Sequence, residues 1–270
     1  MKKTGFLLLS LLVLSSGAAL ADTTVTVKGS TTVLPIAQAV AEAYMKVHPQ
    51  TNISISGGGS GDGVKALLDK STHIAMSSRE LKKEELSLAE QNGIKPAVKT
   101  VAIDAIVPIV HPKNKVKNLT IDQLAMIYSG RITNWKELGG DDLQIVPVSR
   151  DSSSGTFESW RELVLKGEKV TPKAQLQASN GAIVQVVSKN KYAIGYVGIG
   201  YLDKTVKALQ VNGVTANSKT AISKEYPIAR DLYMITNGEP AGETAAFINY
   251  LLGKDGQTIV EKTGFVPLAR

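Results

Sequence analysis

Three stretches of this chain share one grammar: hydroxyl residues set among glycines, after a short apolar run and before a helix-like pattern. They are residues 29–32 (Gly29, Ser30, Thr31, Thr32), residues 57–63 (GGGSGDG, containing Ser60, Gly61 and Asp62) and residues 150–156 (RDSSSGT, containing Arg150, Asp151, Ser154, Gly155 and Thr156). At a helix start, such a stretch offers backbone N–H groups without intrahelical partners, hydroxyl donors and the positive end of the helix dipole. That is the chemistry of holding an anion. Glycine lets the backbone come close to a ligand. Arg150 adds a planar charged fork suited to bidentate contact with an oxyanion. Any one stretch alone reads first as an ordinary N-cap, because Ser, Thr and Asp favour that position. Three together, one with an arginine, point to a bound anion without naming it.

Catalytic readings fare worse. Gly58 and Gly63 have the spacing that opens a P-loop, but Val64 stands where its lysine belongs. Residues 61–66 match G-x-G-x-x-A after a strand, a weak signal by itself. No G-x-S-x-G elbow occurs. His48 and His111 precede prolines, and none of the three histidines has metal-ligand spacing with another. Trp135 and Trp160 read as core residues. No metal, no cofactor and no catalysis are expected.

The elements that must position these residues alternate strand and helix. Residues 25–27, 52–56 and 74–76 read as strands. Residues 35–47 read as a helix with Ile36, Ala37, Val40, Ala41, Tyr44 and Met45 at helical spacing and Pro35 in its first turn. Residues 57–63 read as a loop, with a helix from Val64. A charged helix is expected over residues 82–91. Residues 98–111 are nearly continuously apolar and read as buried strand plus crossover, with Asp104 the odd polar member. Further helices are expected around Ile121–Ile127, Phe157–Val164, Ile183–Val187 and Ala245–Leu252, and strands at residues 144–148, 193–197 and 232–235. Strands alternating with helices predict an α/β fold with helices on both sheet faces.

Residues 1–21 read as a signal peptide: Lys2 and Lys3, an apolar run over residues 6–14, then Ala19-Leu20-Ala21. The run is too short to span a bilayer. Export to the periplasm follows as an expectation, with a chain beginning at Asp22. The absence of cysteine excludes disulfides, a thiol nucleophile and a lipid-bearing cysteine, so stability must come from an ordinary core. The formal net charge is +7. Basic residues are dispersed and aromatic residues few, which argues against nucleic acid as a partner.

These residues resemble the periplasmic phosphate-binding component of the phosphate-specific ABC transporter. The marks are Gly29 to Pro35 (GSTTVLP), residues 57–63, residues 74–80 (IAMSSRE), Thr133-Asn134-Trp135, residues 150–156 and residues 179–183 (SNGAI). The resemblance implies a type II two-lobe binding protein, each lobe a central mixed sheet flanked by helices. Lobe 1 would comprise residues 22–105 plus 228–270 and lobe 2 residues 106–227, joined by hinge segments near residues 103–109 and 221–233. It implies a monomer that takes inorganic phosphate in the interlobe cleft and hands it to a permease and ATPase. Carried over by motif, the contacts are Ser30, Thr31, Thr32, Ser60, Ser78, Arg79, Arg150, Ser154, Gly155 and Thr156. Gly61, Asp62, Asp151 and Asn180 are further candidates. Ser78 stands where some members carry an aspartate able to accept the proton of phosphate. That departure keeps sulfate or another tetrahedral oxyanion open as ligand, and a scavenger or sensor without a transporter open as role.

Overall fold

The computed structural model describes residues 23–268; the signal-peptide reading lies outside the described residues. The first half builds β1 (Thr23–Gly29), α1 (Leu34–Val47), β2 (Thr51–Ser56), α2 (Ser60–Leu68), β3 (Ile74–Ser77), α3 (Lys83–Gln91) and β4 (Pro96–Val110). Then come β5 (Asn118–Leu119), α4 (Ile121–Ser129), β6 (Val146–Arg150), α5 (Gly155–Leu163), β7 (Gln175–Gln177), α6 (Asn180–Lys189) and β8 (Ala193–Gly198). The chain ends with β9 (Lys207–Ala208), β10 (Gln210–Val211), α7 (Ser218–Ile222), β11 (Ala229–Asn237), α8 (Gly242–Leu252) and α9 (Lys254–Lys262).

The strands form one mixed sheet in the order β2-β1-β3-β11-β4-β8-β6-β7, with β9 beside β4, and β10 pairs with β5 separately. Strands β2, β1 and β3 are parallel, as are β8, β6 and β7. The antiparallel pairs β3–β11, β11–β4 and β4–β8 join the two sets. Strand β4 therefore belongs to both sets. Its residues 96–105 pair with β11, and residues 106–110 pair with β8.

The apolar side chains divide at the same place. Val25, Ile36, Val40, Ile74, Val101, Ala102, Leu232, Phe247 and Val260 pack into one core under α1, α8 and α9, and Val64, Leu67, Ala75, Ala89 and Ile235 close the other face under α2 and α3. Ala105, Val107, Leu124, Trp160, Ile194, Tyr196 and Ile228 make a second core, with Val148, Ile183, Val187 and Val197 packed against α6 on its far face. Membership switches between Ala102 and Ala105 on β4, and between Ile228 and Leu232 on the returning chain. The result is the expected α/β architecture of two lobes, each a sheet covered by helices on both faces.

Two local expectations fail. Residues 98–110 are not strand plus crossover but part of a single 15-residue strand, because β11 pairs with residues 96–105 and β8 takes over at residues 106–110. Residues 60–63 are helix rather than loop. Gly63 lets α2 press onto β1, where an added Cβ would lie 2.7 Å from Gly29 Cα. The packing overrides the poor helix propensity of glycine.

Candidate functional site

The hydroxyl-rich stretches leave the carboxyl ends of β1, β2 and β6, and Ser78 follows the end of β3. Sites in open α/β sheets form at such ends, where helix N-termini converge. Gly29 turns the chain out of β1 with φ +139°, a left-handed conformation, and an added Cβ there would overlap the carbonyl oxygen of Met76. Only glycine allows this approach. Ser30 N–H then donates to Met76 O at 2.9 Å, tying the first loop to β3.

The capping expectation separates the three loops. The Ser154 hydroxyl accepts from Phe157 N–H at 3.2 Å and does cap α5. In α1 and α2 no side chain caps the helix start. The hydroxyls of Thr31, Thr32 and Ser60 are therefore not engaged in ordinary capping, yet all three are buried.

Where they go is toward one another and across the two lobes. The hydroxyls of Thr32 and Thr156 lie 2.8 Å apart. Asn180, the first residue of α6, donates from Nδ2 to Thr31 Oγ1 and Thr32 Oγ1, both at 3.1 Å. The Ser60 and Ser78 hydroxyls lie 3.3 Å apart, and Ser78 N–H donates to Ser60 Oγ at 3.0 Å. Gly155 abuts that pair: a Cβ there would overlap Ser60 Oγ and stand 2.7 Å from Ser78 Oγ. Gly61 N–H donates to Ser153 O at 2.9 Å, joining the second loop to the third.

Arg150 ends β6 with its side chain 1% exposed. Its Nε and Nη2 donate to Gln177 O and Ala178 O at 2.9 Å each, and Nη1 has no hydrogen-bond partner among the described residues. Behind it, Tyr196 accepts from Arg150 N–H at 3.3 Å and shares a 2.8 Å hydrogen bond with Ser149. Tyr196 in turn stacks on Trp160 of α5 with ring centroids 4.2 Å apart. One aromatic stack thus sets both the arginine and the helix whose N-terminus carries Gly155 and Thr156. Burial lowers the Arg150 pKa, Asp151 opposes that, and Arg230 adds to the lowering. An anion beside the buried Arg150 would offset the cost of its lost hydration.

Arg230 was not foreseen. It is the second residue of β11, opposite its register partner Asp104 on β4. Its Nε and Nη2 meet Asp104 Oδ2 at 3.0 and 2.8 Å. Its remaining donors reach Ser78 O, Ser159 Oγ, Thr32 Oγ1 and Thr156 Oγ1. Asp104 Oδ1 accepts from Ile199 N–H at 2.9 Å. Burial pushes the Asp104 carboxyl up against the lowering pull of Arg230, and burial lowers Arg230 in the same way. Asp104 carried a sequence signal, a lone charge in an apolar run; Arg230, at the edge of a short strand, carried none. Tyr201 was also missed; its hydroxyl donates to Thr31 O.

Other candidates lie apart from this group. The Arg79 guanidinium is held by Glu85, at 2.7 and 2.8 Å, and by Glu80 O, so its charge is already paired on the α3 side. Asp62 is exposed in the first turn of α2. Asp151 Oδ1 accepts from Ser153 N–H and Oγ at 2.9 and 2.6 Å, shaping the loop, and its Oδ2 is 3.8 Å from Arg150 Nη2. Among the described residues no cluster of three or more acidic or histidine side chains is placed to hold a metal, and no helix is long and apolar enough to cross a membrane.

Known proteins share this arrangement at large scale. A family model described as the PBP superfamily domain matches residues 15–255. The phosphate-binding protein PstS of Borreliella burgdorferi is 36% identical, with 90% of this chain and 89% of that protein covered. PstS of Bacillus subtilis is 32% identical over 94% of this chain and 84% of its own length. A crystal structure of a phosphate ABC transporter substrate-binding protein from Clostridium perfringens, with bound phosphate, is 38% identical, superposes with a TM-score of 0.85, and covers 92% of this chain and 100% of that one. Sequence and fold agree over nearly the whole length: the chain belongs to the PstS phosphate-binding proteins of the PBP superfamily.

Proposed function

We propose that this chain captures inorganic phosphate between its two lobes and delivers it to an ABC importer, without catalysing a reaction. The observation that carries the reading is the burial of Ser30, Thr31, Thr32, Ser60, Ser78, Arg150, Ser154, Thr156 and Asn180 at one junction between the cores. Their donors come from four strand ends and three helix starts. A tetrahedral oxyanion there replaces its water shell with N–H and hydroxyl donors in a desolvated space, where charge-assisted hydrogen bonds are strongest. No nucleophile–base pair is associated with this group, which is why binding rather than turnover is proposed.

In this reading Arg150 Nη1, the Ser154 hydroxyl, the N–H groups of Gly155 and Thr156 and the Thr156 hydroxyl face the oxygens, together with the N-terminal turn of α2. The Ser60–Ser78 hydroxyl pair, in which either oxygen can donate, is where a protonated phosphate oxygen finds an acceptor. Arg79 and Asp62 drop out of the contact set. Lobe 1 is taken as residues 22–105 plus 228–270 and lobe 2 as 106–227; the core switches lie within a few residues of these joins, with Ala105 and Ile228 packing in the second core. The signal-peptide pattern of residues 1–21 supports delivery outside the inner membrane.

Titration calorimetry of the protein lacking residues 1–21 tests the reading. Phosphate is expected to bind at micromolar concentration or tighter, with sulfate competing poorly. No heat of phosphate binding removes the proposal, and equal competition by sulfate changes the ligand to tetrahedral oxyanions in general.

A further inference from the structure

The Thr32 and Thr156 hydroxyls are 2.8 Å apart, and that distance alone does not say which one donates. Their neighbours do. Gly198 N–H donates to Asn180 Oδ1 at 3.2 Å, which fixes the amide with Nδ2 toward the threonines. Nδ2 donates to Thr32 Oγ1 at 3.1 Å. Arg230 Nη2 has two hydrogens: one goes to Asp104 Oδ2 at 2.8 Å, and the other is shared between Thr156 Oγ1 at 3.0 Å and Thr32 Oγ1 at 3.3 Å. A guanidinium cannot accept, and a hydroxyl oxygen has two acceptor positions. Thr32 Oγ1 meets the Asn180 hydrogen and the longer arm of the shared Arg230 hydrogen, so its own hydrogen turns to the nearest oxygen, Thr156 Oγ1 at 2.8 Å. Thr156 Oγ1 then accepts the shorter arm of the shared Arg230 hydrogen and the Thr32 hydrogen. Its own hydrogen is left without an acceptor among the described residues. The opposite assignment would crowd three hydrogens around Thr32 Oγ1, one of them shared, and leave Thr156 Oγ1 with the shared one alone.

We propose that Arg230 and Asn180 fix the direction of the Thr32–Thr156 hydroxyl pair, so that Thr156 presents a hydrogen and never a lone pair to a bound oxyanion. The inference rests on the phosphate reading above. Arg230 acts as a positioning residue. Asp104 Oδ2, Ser78 O at 3.0 Å and Ser159 Oγ at 3.4 Å take its other donors, so its fork is spent on the protein. The Thr32 hydroxyl likewise works through Thr156 instead of touching the ligand. The asymmetry is useful: a donor that cannot turn round offers no acceptor to a protonated oxygen, favours an unprotonated one at that vertex, and costs no reorganisation when the anion arrives.

Neutron diffraction on deuterium-exchanged crystals of the unaltered protein with phosphate reads the hydroxyls directly. The Thr32 deuterium is expected on the line to Thr156 Oγ1, and the Thr156 deuterium toward a phosphate oxygen; the reverse orientation overturns the proposal. Calorimetry on Thr156→Val, Thr32→Val and the double variant gives an independent readout. Each single change is expected to weaken phosphate binding by roughly tenfold or more, the scale of a hydrogen bond to a charged group. The double variant is expected to be within about twofold of Thr156→Val, because the two hydroxyls act in series. Thr32→Ser is expected to restore binding to within about twofold of the unaltered protein, since its hydroxyl keeps the relay. Losses that multiply would show direct contact by Thr32 and sink the relay alone. Failure of the unaltered protein to bind phosphate overturns the functional reading and the relay with it.

Discussion

Arg150 enters the site already half committed, two of its donors tied to the carbonyls of Gln177 and Ala178 and the third group left over. That division makes it a rigid donor. Replacing it with alanine removes a buried charge and a charge-assisted contact together, and is expected to cost about 2–5 kcal/mol in phosphate affinity. Calorimetry checks this; a loss under fivefold would place Arg150 outside the contact set. The supporting Tyr196 makes a second, pH-dependent prediction. Burial raises its phenol to about 12. An unfolded chain ionises tyrosine near 10, so the folded state keeps the proton longer. The stability this contributes is complete below pH 10 and is lost as pH rises toward 12. Urea midpoints are expected to fall across that window, and to fall less in Tyr196→Phe. Residue types were legible where chemistry and pattern coincide, as in Arg150 and Ser154. Arg230 was not, because its role depends on meeting Asp104 across two strands 126 residues apart in sequence.

At the scale of elements, helix α5 does most to bring the halves together. Its N-terminal turn carries Ser154, Gly155 and Thr156, and its body carries Trp160, the stack that also orients Arg150 through Tyr196. Gly155 is the point of closest approach to Ser60 and Ser78. In Gly155→Ala the added methyl meets Ser60 Oγ and Cβ of the other lobe, while the helix itself gains about 0.5–1 kcal/mol from losing a glycine. The expected outcome is a protein of unchanged or slightly higher melting temperature whose phosphate affinity drops at least tenfold, with a larger radius of gyration in phosphate by small-angle scattering. A variant that melts early but binds normally would show that Gly155 serves folding instead of closure. The alternation of strand and helix was readable from periodicity. The start of α2 was not, since four residues rich in glycine look like loop until β1 is packed against them.

For the whole molecule, the decisive feature is that one long strand serves two cores. The apolar run of residues 98–111 was plain in the sequence, but a continuous run cannot say where one core stops and the next begins. Asp104 marks the place. It lies within one residue of the switch on β4, pairs with Arg230 at the switch on β11, and through Arg230 touches Thr32 and Ser78 on one side and Thr156 and Ser159 on the other. A buried pair of this kind seldom adds net stability, because both charges lose their hydration, as the upward push on Asp104 and the downward push on Arg230 reflect. Breaking it is another matter. Asp104→Ala leaves Arg230 buried without its counter-charge and is expected to destabilise the fold by about 3–5 kcal/mol. Replacing both partners, Asp104→Leu with Arg230→Met, removes the two desolvation costs together and is expected to recover most of that stability. Phosphate affinity should stay low in the double variant, because the hydroxyls of Thr32 and Thr156 lose their shared donor. Urea unfolding gives the first quantity and calorimetry the second. A double variant as unstable as the single one would mean that the pair holds the lobes together, whereas one that is stable and binds normally would mean that the buried charges do nothing for the site.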